Sequence, residues 1–231
     1  MHNKHSVNTL EKRLLGLALF EVLKLWSNKL YVPFLQQSKP DKLTDNWFKR
    51  FVADWKVART IKGDKMERVR EYLDNDFRKM LLKGDEGAIV DDAAKYIQQE
   101  KWGSQMQRNG KGSLPISIVS KVGFFFCPAK LVPRDGLAWK GLNKLRRGDD
   151  EPQMRGPSYS EYLKAFNEQY TKYESQLSTA LNKQWLIDLA NELGCPTSAL
   201  TTIAMRRKLF DNYLMELALE GETQNSEKIV R

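Results

Sequence analysis

The chain has 231 residues, 41% of them hydrophobic, and its 38 Lys and Arg exceed its 29 Asp and Glu to give a formal charge of +9. This length predicts one domain or two small ones. The aromatic content of 10% supplies apolar area for a packed core, which excludes a disordered basic tail. The positive charge suggests a polyanionic partner but does not identify one.

The two histidines are His2 and His5, so both lie within the first five residues. Because chain termini are usually poorly ordered, we expect the packed region to contain no imidazole. Ser-His-Asp and Cys-His catalysis and His-ligated zinc sites are thereby excluded. An enzyme with this sequence would rely on Lys, Asp, Glu, Tyr or Ser.

Cysteine usage also limits the chemistry. Cys127 and Cys195 are too few for a four-thiolate metal site or a disulfide framework, which favours a reducing, cytoplasmic location. No glycine-rich nucleotide-binding motif is present, and we predict no cofactor and no metal. The apolar stretch 14–30 contains Glu21, Lys24 and Lys29, so we expect neither a membrane span nor a signal peptide there.

Apolar residues recur at helical spacing along most of the chain, which predicts an all-α fold of about eight helices. We expect helices to begin near Asn8 and after Thr44, Asp64, Asp85 and Pro115. The predicted architecture is a single two-lobed helical body with a central helix-turn-helix hairpin. Its parts are a helical lobe at 1–145 with the hairpin at 113–142, a linker at 146–158, a C-terminal helical lobe at 159–220 and a disordered tail at 221–231.

Two further expectations concern individual side chains. Four tryptophans at core spacing are predicted to pack inside the protein: Trp47, Trp55, Trp139 and Trp185. The basic run 206–208 is predicted to be a solvated helix face on which Arg207 pairs with Asp211 at i, i+4.

The hairpin segment is the one place where the sequence suggests catalysis. Lys121 lies in the middle of an otherwise apolar helix, so its amine should be partly desolvated and usable as a nucleophile. Asp135 precedes the next helix, where a carboxylate caps backbone amides. A short loop joins the two helices, so both side chains could face the same crevice.

Two short motifs carry a resemblance to a known family. Ser120-Lys121-Val122-Gly123 and Val132-Pro133-Arg134-Asp135 resemble the catalytic segments of helix-hairpin-helix DNA glycosylases, most of all the oxoguanine branch. The resemblance implies that Lys121 attacks the sugar C1′ and forms a Schiff base, while Asp135 stabilises the developing oxocarbenium charge. The family's Gly-x-Gly hairpin is replaced here by the segment 114–118, and the lack of four clustered cysteines excludes its iron–sulfur members.

Basic residues concentrate around this segment. Between positions 108 and 147 the chain has nine basic residues and one acidic residue, Asp135. Such a strip suits a phosphate backbone, and the resemblance favours DNA over RNA, although RNA or an acidic protein would also fit. Besides Lys121, the strip contains eight predicted nucleic-acid contacts: Arg108, Lys111, Lys130, Arg134, Lys140, Lys144, Arg146 and Arg147.

Three functional hypotheses follow. The first is a nucleic-acid-binding protein acting as a DNA base N-glycosylase through Lys121 and Asp135. The second is a non-catalytic nucleic-acid-binding subunit of a bacterial or phage defence (antiviral) or toxin system. The third is a protein-interaction module whose charge serves solubility. None of the three involves a membrane.

Overall fold

The structure is a computed structural model that describes residues 3–27, 42–57, 61–103, 115–156 and 158–229. Side chains of the first range are described for residues 9–24 only, and those of the last range for residues 158–220 only. Those ranges contain helices and, apart from one isolated bridge between Ile61 and Gly103, no β-pairing. The all-α prediction is confirmed.

The described helices are numbered here in chain order. They are α1 (Asn3–Ser27), α2 (Asp45–Asp54), α3 (Met66–Tyr72, continued by a π-helical turn at Leu73–Phe77 and by Arg78–Leu81), α4 (Glu86–Gln99), α5 (Ile116–Phe126), α6 (Gly136–Gly148), α7 (Tyr159–Leu181), α8 (Gln184–Glu192) and α9 (Ile203–Ile229). Single 3₁₀ turns lie at Gly63–Lys65 and Thr197–Ala199.

Helix starts agree with the sequence at two predicted caps, whereas α1 begins at Asn3 rather than near Asn8. Thr44 accepts a hydrogen bond from the amide of Trp47 at 3.3 Å, which begins α2. Asp85 accepts from the amides of Gly87 at 2.9 Å and Ala88 at 3.2 Å, which begins α4. Side-chain acceptors at these positions satisfy amides that have no partner inside the helix. The predicted starts at Thr44 and Asp85 are therefore confirmed.

The chain divides into two compact units. The terminal unit comprises Met1–Ser38, Gly136–Gln153 and Ala165–Arg231. Within it, α9 packs against α6 and α1, and α1 also packs against α8. The α6–α9 approach is exceptionally close at Gly141, where a Cβ atom would lie 1.8 Å from the carbonyl oxygen of Leu214.

The central unit comprises Lys39–Asp135 and Met154–Lys164. Its helix α5 packs against α3 and α4. Aromatic rings join α2 to α5, since the Trp47 ring lies 5.1 Å from that of Phe51 and 4.7 Å from that of Phe125, centroid to centroid. Trp47 therefore packs in the central unit, as predicted, whereas Trp185 in the terminal unit is 47% exposed and does not.

These units divide the chain differently from the predicted lobes. Residues 1–38 and 136–145 group with the C-terminal helices rather than with the hairpin, because α1 and α6 both pack on α9. The predicted linker 146–158 is divided between the units, and α6 extends into it as far as Gly148. Helix α9 continues to Ile229 through residues that were predicted to form a disordered tail.

Candidate functional site

Helix α5 carries the predicted nucleophile. Ten of its eleven residues, all except Ser117, are buried, and a helix that is apolar nearly all round belongs inside a protein. Lys121 is the one charged residue in this helix, and it is 8% exposed. The desolvation expected from the sequence is therefore present.

Lys121 and Asp135 lie next to each other. The distance from Lys121 Nζ to Asp135 Oδ2 is 3.9 Å, and the two side chains are 10% and 29% exposed. Lys121 Nζ also donates a hydrogen bond to the carbonyl oxygen of Trp55 at 3.1 Å. At 3.9 Å the two groups form an ion pair but not a direct hydrogen bond. The juxtaposition that the hairpin suggested is thus present, with the carboxylate on the more accessible side.

The loop that carries Asp135 is held by two buried tyrosines from α7. The Tyr159 hydroxyl donates to the carbonyl oxygen of Val132 at 2.7 Å and accepts from the amide of the same residue at 2.9 Å. The Tyr162 hydroxyl donates to the carbonyl oxygen of Pro133 at 3.2 Å. Such bonds satisfy loop backbone groups that would otherwise be buried without partners. The helical spacing of the two tyrosines indicates core packing only and gives no sign of these hydrogen bonds.

Two further contacts fix the same loop. The amide of Arg134 donates to the hydroxyl of Ser120 at 3.0 Å, which ties the loop to the residue before Lys121. Asp91 on α4 accepts from the amides of Tyr159 at 2.6 Å and Ser160 at 3.0 Å, and from the hydroxyls of Ser158 and Ser160. Asp91 therefore caps the start of α7, and through Tyr159 it supports the loop that bears Asp135.

Two predicted phosphate contacts lie in the central unit, and both have protein partners. Burial lowers the pKa of the Arg134 guanidinium, which lies 5.8 Å from the ring centroid of Tyr162. Lys130 is exposed and pairs with Glu86, whose hydrogen-bonded carboxylate raises the pKa of the lysine. Lys130 remains accessible to a polyanion, whereas Arg134 is only partly exposed.

The other predicted contacts with known positions lie on α6 in the terminal unit. Lys140, Lys144 and Arg147 are exposed and follow one another at i, i+4 and i+7, so they share one face of the helix. Lys144 Nζ donates to the carbonyl oxygen of Leu217 at 3.0 Å, which leaves further donors for a ligand. These three residues are called the α6 basic face below.

Arg146 does not belong to that face. Its guanidinium lies 3.2 Å from a carboxylate oxygen of Glu151 and 3.1 Å from one of Glu168, and it donates to the carbonyl oxygen of Pro152 at 3.0 Å. Its side chain is 11% exposed. Arg146 therefore fastens the segment after α6 to α7. The remaining predicted contacts, Arg108 and Lys111, lie outside the described residues.

The prediction of a solvated basic run at 206–208 is wrong for two of its residues. Arg207 and Lys208 are each 5% exposed. Lys208 Nζ contacts Asp211 Oδ2 at 2.5 Å and Asn212 Oδ1 at 2.9 Å, and Asn212 in turn donates to the buried Glu21 of α1. Lys208 therefore pairs with Asp211 on a buried side of α9.

The described residues contain no group of three or more His, Cys, Asp or Glu side chains suited to hold a metal ion. Asp91 is occupied as a helix cap, and Asp74 accepts from the amide of Leu43 at 3.0 Å and pairs with Arg78 at 2.9 Å.

Among the helices described, none is long and apolar enough to cross a membrane.

Comparisons with known proteins find no match for this chain among protein families, curated proteins or solved structures.

Proposed function

We propose that this protein binds nucleic acid and acts as a DNA base N-glycosylase in which Lys121 is the nucleophile. The observation that carries the proposal is the 3.9 Å separation of Lys121 Nζ from Asp135 Oδ2 at the meeting point of α5 and the loop before α6. The two motifs that suggested the family resemblance supply both members of this pair.

The chemistry requires little beyond these two groups. The Lys121 ammonium first gives a proton to solvent. The uncharged amine then attacks C1′ of a deoxyribose as the C1′–base bond breaks, and the bonding electron pair leaves with the base, which takes a proton from water. Loss of a proton from Nζ and opening of the sugar ring, with protonation of the ring oxygen, then gives a protonated Schiff base. The Asp135 carboxylate stabilises the positive charge that develops at C1′.

The surroundings of the pair set two requirements for this reaction. Lys121 Nζ must leave the carbonyl oxygen of Trp55, to which it donates at 3.1 Å. The target nucleotide must also leave the base stack to reach a side chain that is 10% exposed. The rigidly held loop keeps Asp135 fixed while the nucleotide enters, which is the pre-organisation that charge stabilisation needs.

Nucleic-acid binding itself is supported by charge. The chain carries a formal charge of +9, and the α6 basic face presents three exposed cations along one side of a helix. Lys and Arg arranged in this way neutralise phosphates and release counterions.

A second candidate function is nucleic-acid binding without catalysis. It is favoured by the partners of Lys121 Nζ, because the Trp55 carbonyl and the Asp135 carboxylate together can satisfy a lysine whose role is purely structural. In that case Lys121 holds α5 to the segment after α2, and the α6 basic face carries the whole activity.

Borohydride trapping separates the two candidates. The protein is incubated with duplex and single-stranded DNA carrying oxidised or alkylated bases, and borohydride then reduces any Schiff base to a stable amine. We expect a covalent complex with wild type, none with Lys121→Gln, less with Asp135→Asn, and an unchanged yield with Lys49→Gln, whose exposed lysine pairs with Asp45. Circular dichroism of each variant checks that it folds.

The outcomes are distinct. An adduct that depends on Lys121 supports the glycosylase. Salt-dependent DNA binding with no adduct on any of these substrates overturns the glycosylase and supports the non-catalytic function. Absence of DNA binding at low salt overturns both.

A further inference from the structure

A polar groove in the terminal unit lies apart from Lys121 and Asp135 and contains Arg206, the first residue of the basic run 206–208. It is open to solvent, has a volume of about 800 Å³ and follows one side of α7 between Thr171 and Asn182. Its walls are formed by Thr171, Glu174, Ser175, Ser178, Thr179, Asn182, Lys183 and Arg206. The volume falls in the range of known ligand clefts, whereas the lining contains no apolar side chain. The polar groups of this lining can bind an occupant through hydrogen bonds and charge.

We propose that this groove binds a phosphate ester. Two cations, Lys183 and Arg206, provide the charge for a phosphate group, and hydroxyls along α7 provide hydrogen bonds. The hydroxyls of Ser175 and Thr179 have no hydrogen-bond partner in the described part of the chain, so both can bind a ligand without breaking an existing contact.

Arg206 is held in a position suited to an anion. Its Nη1 donates to the carbonyl oxygen of Thr201 at 3.0 Å, which fixes the guanidinium at the start of α9. The carboxylate of Glu174 is 3.9 Å from its Nε, and the two side chains are 23% and 47% exposed. A partly exposed pair at this distance is weak. A phosphate offers the guanidinium closer, bidentate hydrogen bonds, so it can displace Glu174.

Lys183 provides the second charge at the end of the groove. Its Nζ lies 2.8 Å from a carboxylate oxygen of Glu11, and both side chains are more than a third exposed. The ammonium can keep that contact and donate its other protons to a phosphate oxygen.

The length of the groove indicates an ester rather than free phosphate. Eleven residue steps along a helix span about 16 Å, which is longer than one phosphate group. The organic part of the ligand would lie along the hydroxyls, and this chemistry fits either a free phosphate monoester or the phosphodiester backbone of a nucleic acid.

Isothermal titration calorimetry tests the proposal with three probes: inorganic phosphate, thymidine 5′-monophosphate and a short oligothymidylate. Ser175→Asp adds a carboxylate to the groove at an exposed position that has no partner, so the fold should be kept. We expect it and Arg206→Gln to weaken binding about tenfold or more, which corresponds to about 1.4 kcal/mol. The control Lys164→Gln removes an exposed lysine of the same helix outside the groove and should have no effect.

Each result is decisive. Tighter binding of the monophosphate than of inorganic phosphate, weakened by Ser175→Asp, supports a free ester as ligand. Binding of the oligonucleotide alone, with the same sensitivity, supports the phosphodiester backbone. Equal affinity of wild type and Ser175→Asp for every probe that binds overturns the proposal and leaves the role of Lys121 untouched. Failure of all three probes at millimolar concentration also overturns the proposal, and failure of the oligonucleotide counts against DNA binding as well.

Discussion

Gly141 of α6 touches the backbone of Leu214 on α9, and a Cβ atom at position 141 would lie 1.8 Å from the Leu214 carbonyl oxygen. The nearest atoms belong to the backbone of Leu214, which cannot change rotamer to make room as a flexible side chain can. We predict that Gly141→Ala forces the two helices apart and destabilises the protein by about 3 kcal/mol or more, at or beyond the upper end of ordinary overpacking. Urea unfolding measures the loss.

Gly148→Ala is the matched control for this prediction. It lies in the same helix, but a Cβ atom there meets nothing within 4 Å. Its unfolding midpoint should stay equal to that of wild type or rise slightly. Equal stability of the two variants would contradict the close α6–α9 contact.

The Tyr159 hydroxyl is predicted to hold the loop that carries Asp135 in place. Tyr159→Phe leaves the amide and carbonyl of Val132 without their 2.9 Å and 2.7 Å partners in a buried place, and we expect a loss of about 1–3 kcal/mol of stability. Hydrogen exchange at the Val132 amide should accelerate. Tyr96→Phe, at a side chain that is 39% exposed, should change neither quantity. Unchanged exchange at Val132 in Tyr159→Phe would show that the hydroxyl does not hold the loop.

Arg146 and Arg147 are adjacent in sequence, but we predict that replacing Arg147 changes DNA binding whereas replacing Arg146 changes stability. Arg147→Gln removes an exposed cation of the α6 basic face, so the slope of log K for DNA binding against log salt should fall by about 1. Arg146→Gln breaks ion pairs with Glu151 and Glu168, so it should lower stability and leave the slope unchanged. Equal salt slopes for Arg147→Gln and wild type would exclude Arg147 from the DNA contact.

Acid should loosen the segment after α6. Hydrogen bonds from Lys172 lower the pKa values of Asp149 and Glu151. Carboxylates with lowered pKa values stabilise the fold above their unfolded pKa values, near 4. This contribution is lost as the pH falls through the pKa values that the carboxylates have in the folded protein. Because these ion pairs are exposed, we expect the loss of unfolding free energy to be less than about 1 kcal/mol.

Urea unfolding at pH 7 and pH 3 measures this loss in wild type and in Lys172→Gln. The difference between the two proteins should be largest at pH 7 and smaller at pH 3, because the contribution of the pairs decreases once the pH falls below the unfolded pKa values of the carboxylates. A difference of the same size at pH 3 as at pH 7 would mean that Lys172 stabilises the protein by packing rather than by charge.

Local signals allowed much of the fold to be predicted. The caps at Thr44 and Asp85 and the apolar spacing of α5 act within a few residues, so the sequence shows them directly. The division into units could not be predicted, because it depends on contacts such as Gly141 with Leu214, between helices far apart in the chain. A glycine inside a helix gave no indication of which backbone it approaches.

The sequence indicated the two central residues of the candidate site but not the residues that support them. The hairpin motifs indicated Lys121 and Asp135, and the structure brings them within ion-pair distance. The supports of the loop, Asp91 and Tyr159, were missed because each acts on backbone groups in another segment. The buried Lys208 was missed because its partner Asp211 looked like part of an ordinary surface charge pattern, and the burial of both comes from the packing of α9 on α1.

The most direct test of the central claim is to locate the trapped adduct in the chain. After borohydride reduction on damaged DNA and digestion of both polymers, mass spectrometry should find the sugar remnant on the peptide that contains Lys121 and on no other lysine. An adduct on Lys130 or another exposed lysine, or no adduct under conditions in which the protein binds the DNA, would contradict the assignment of Lys121 as the nucleophile.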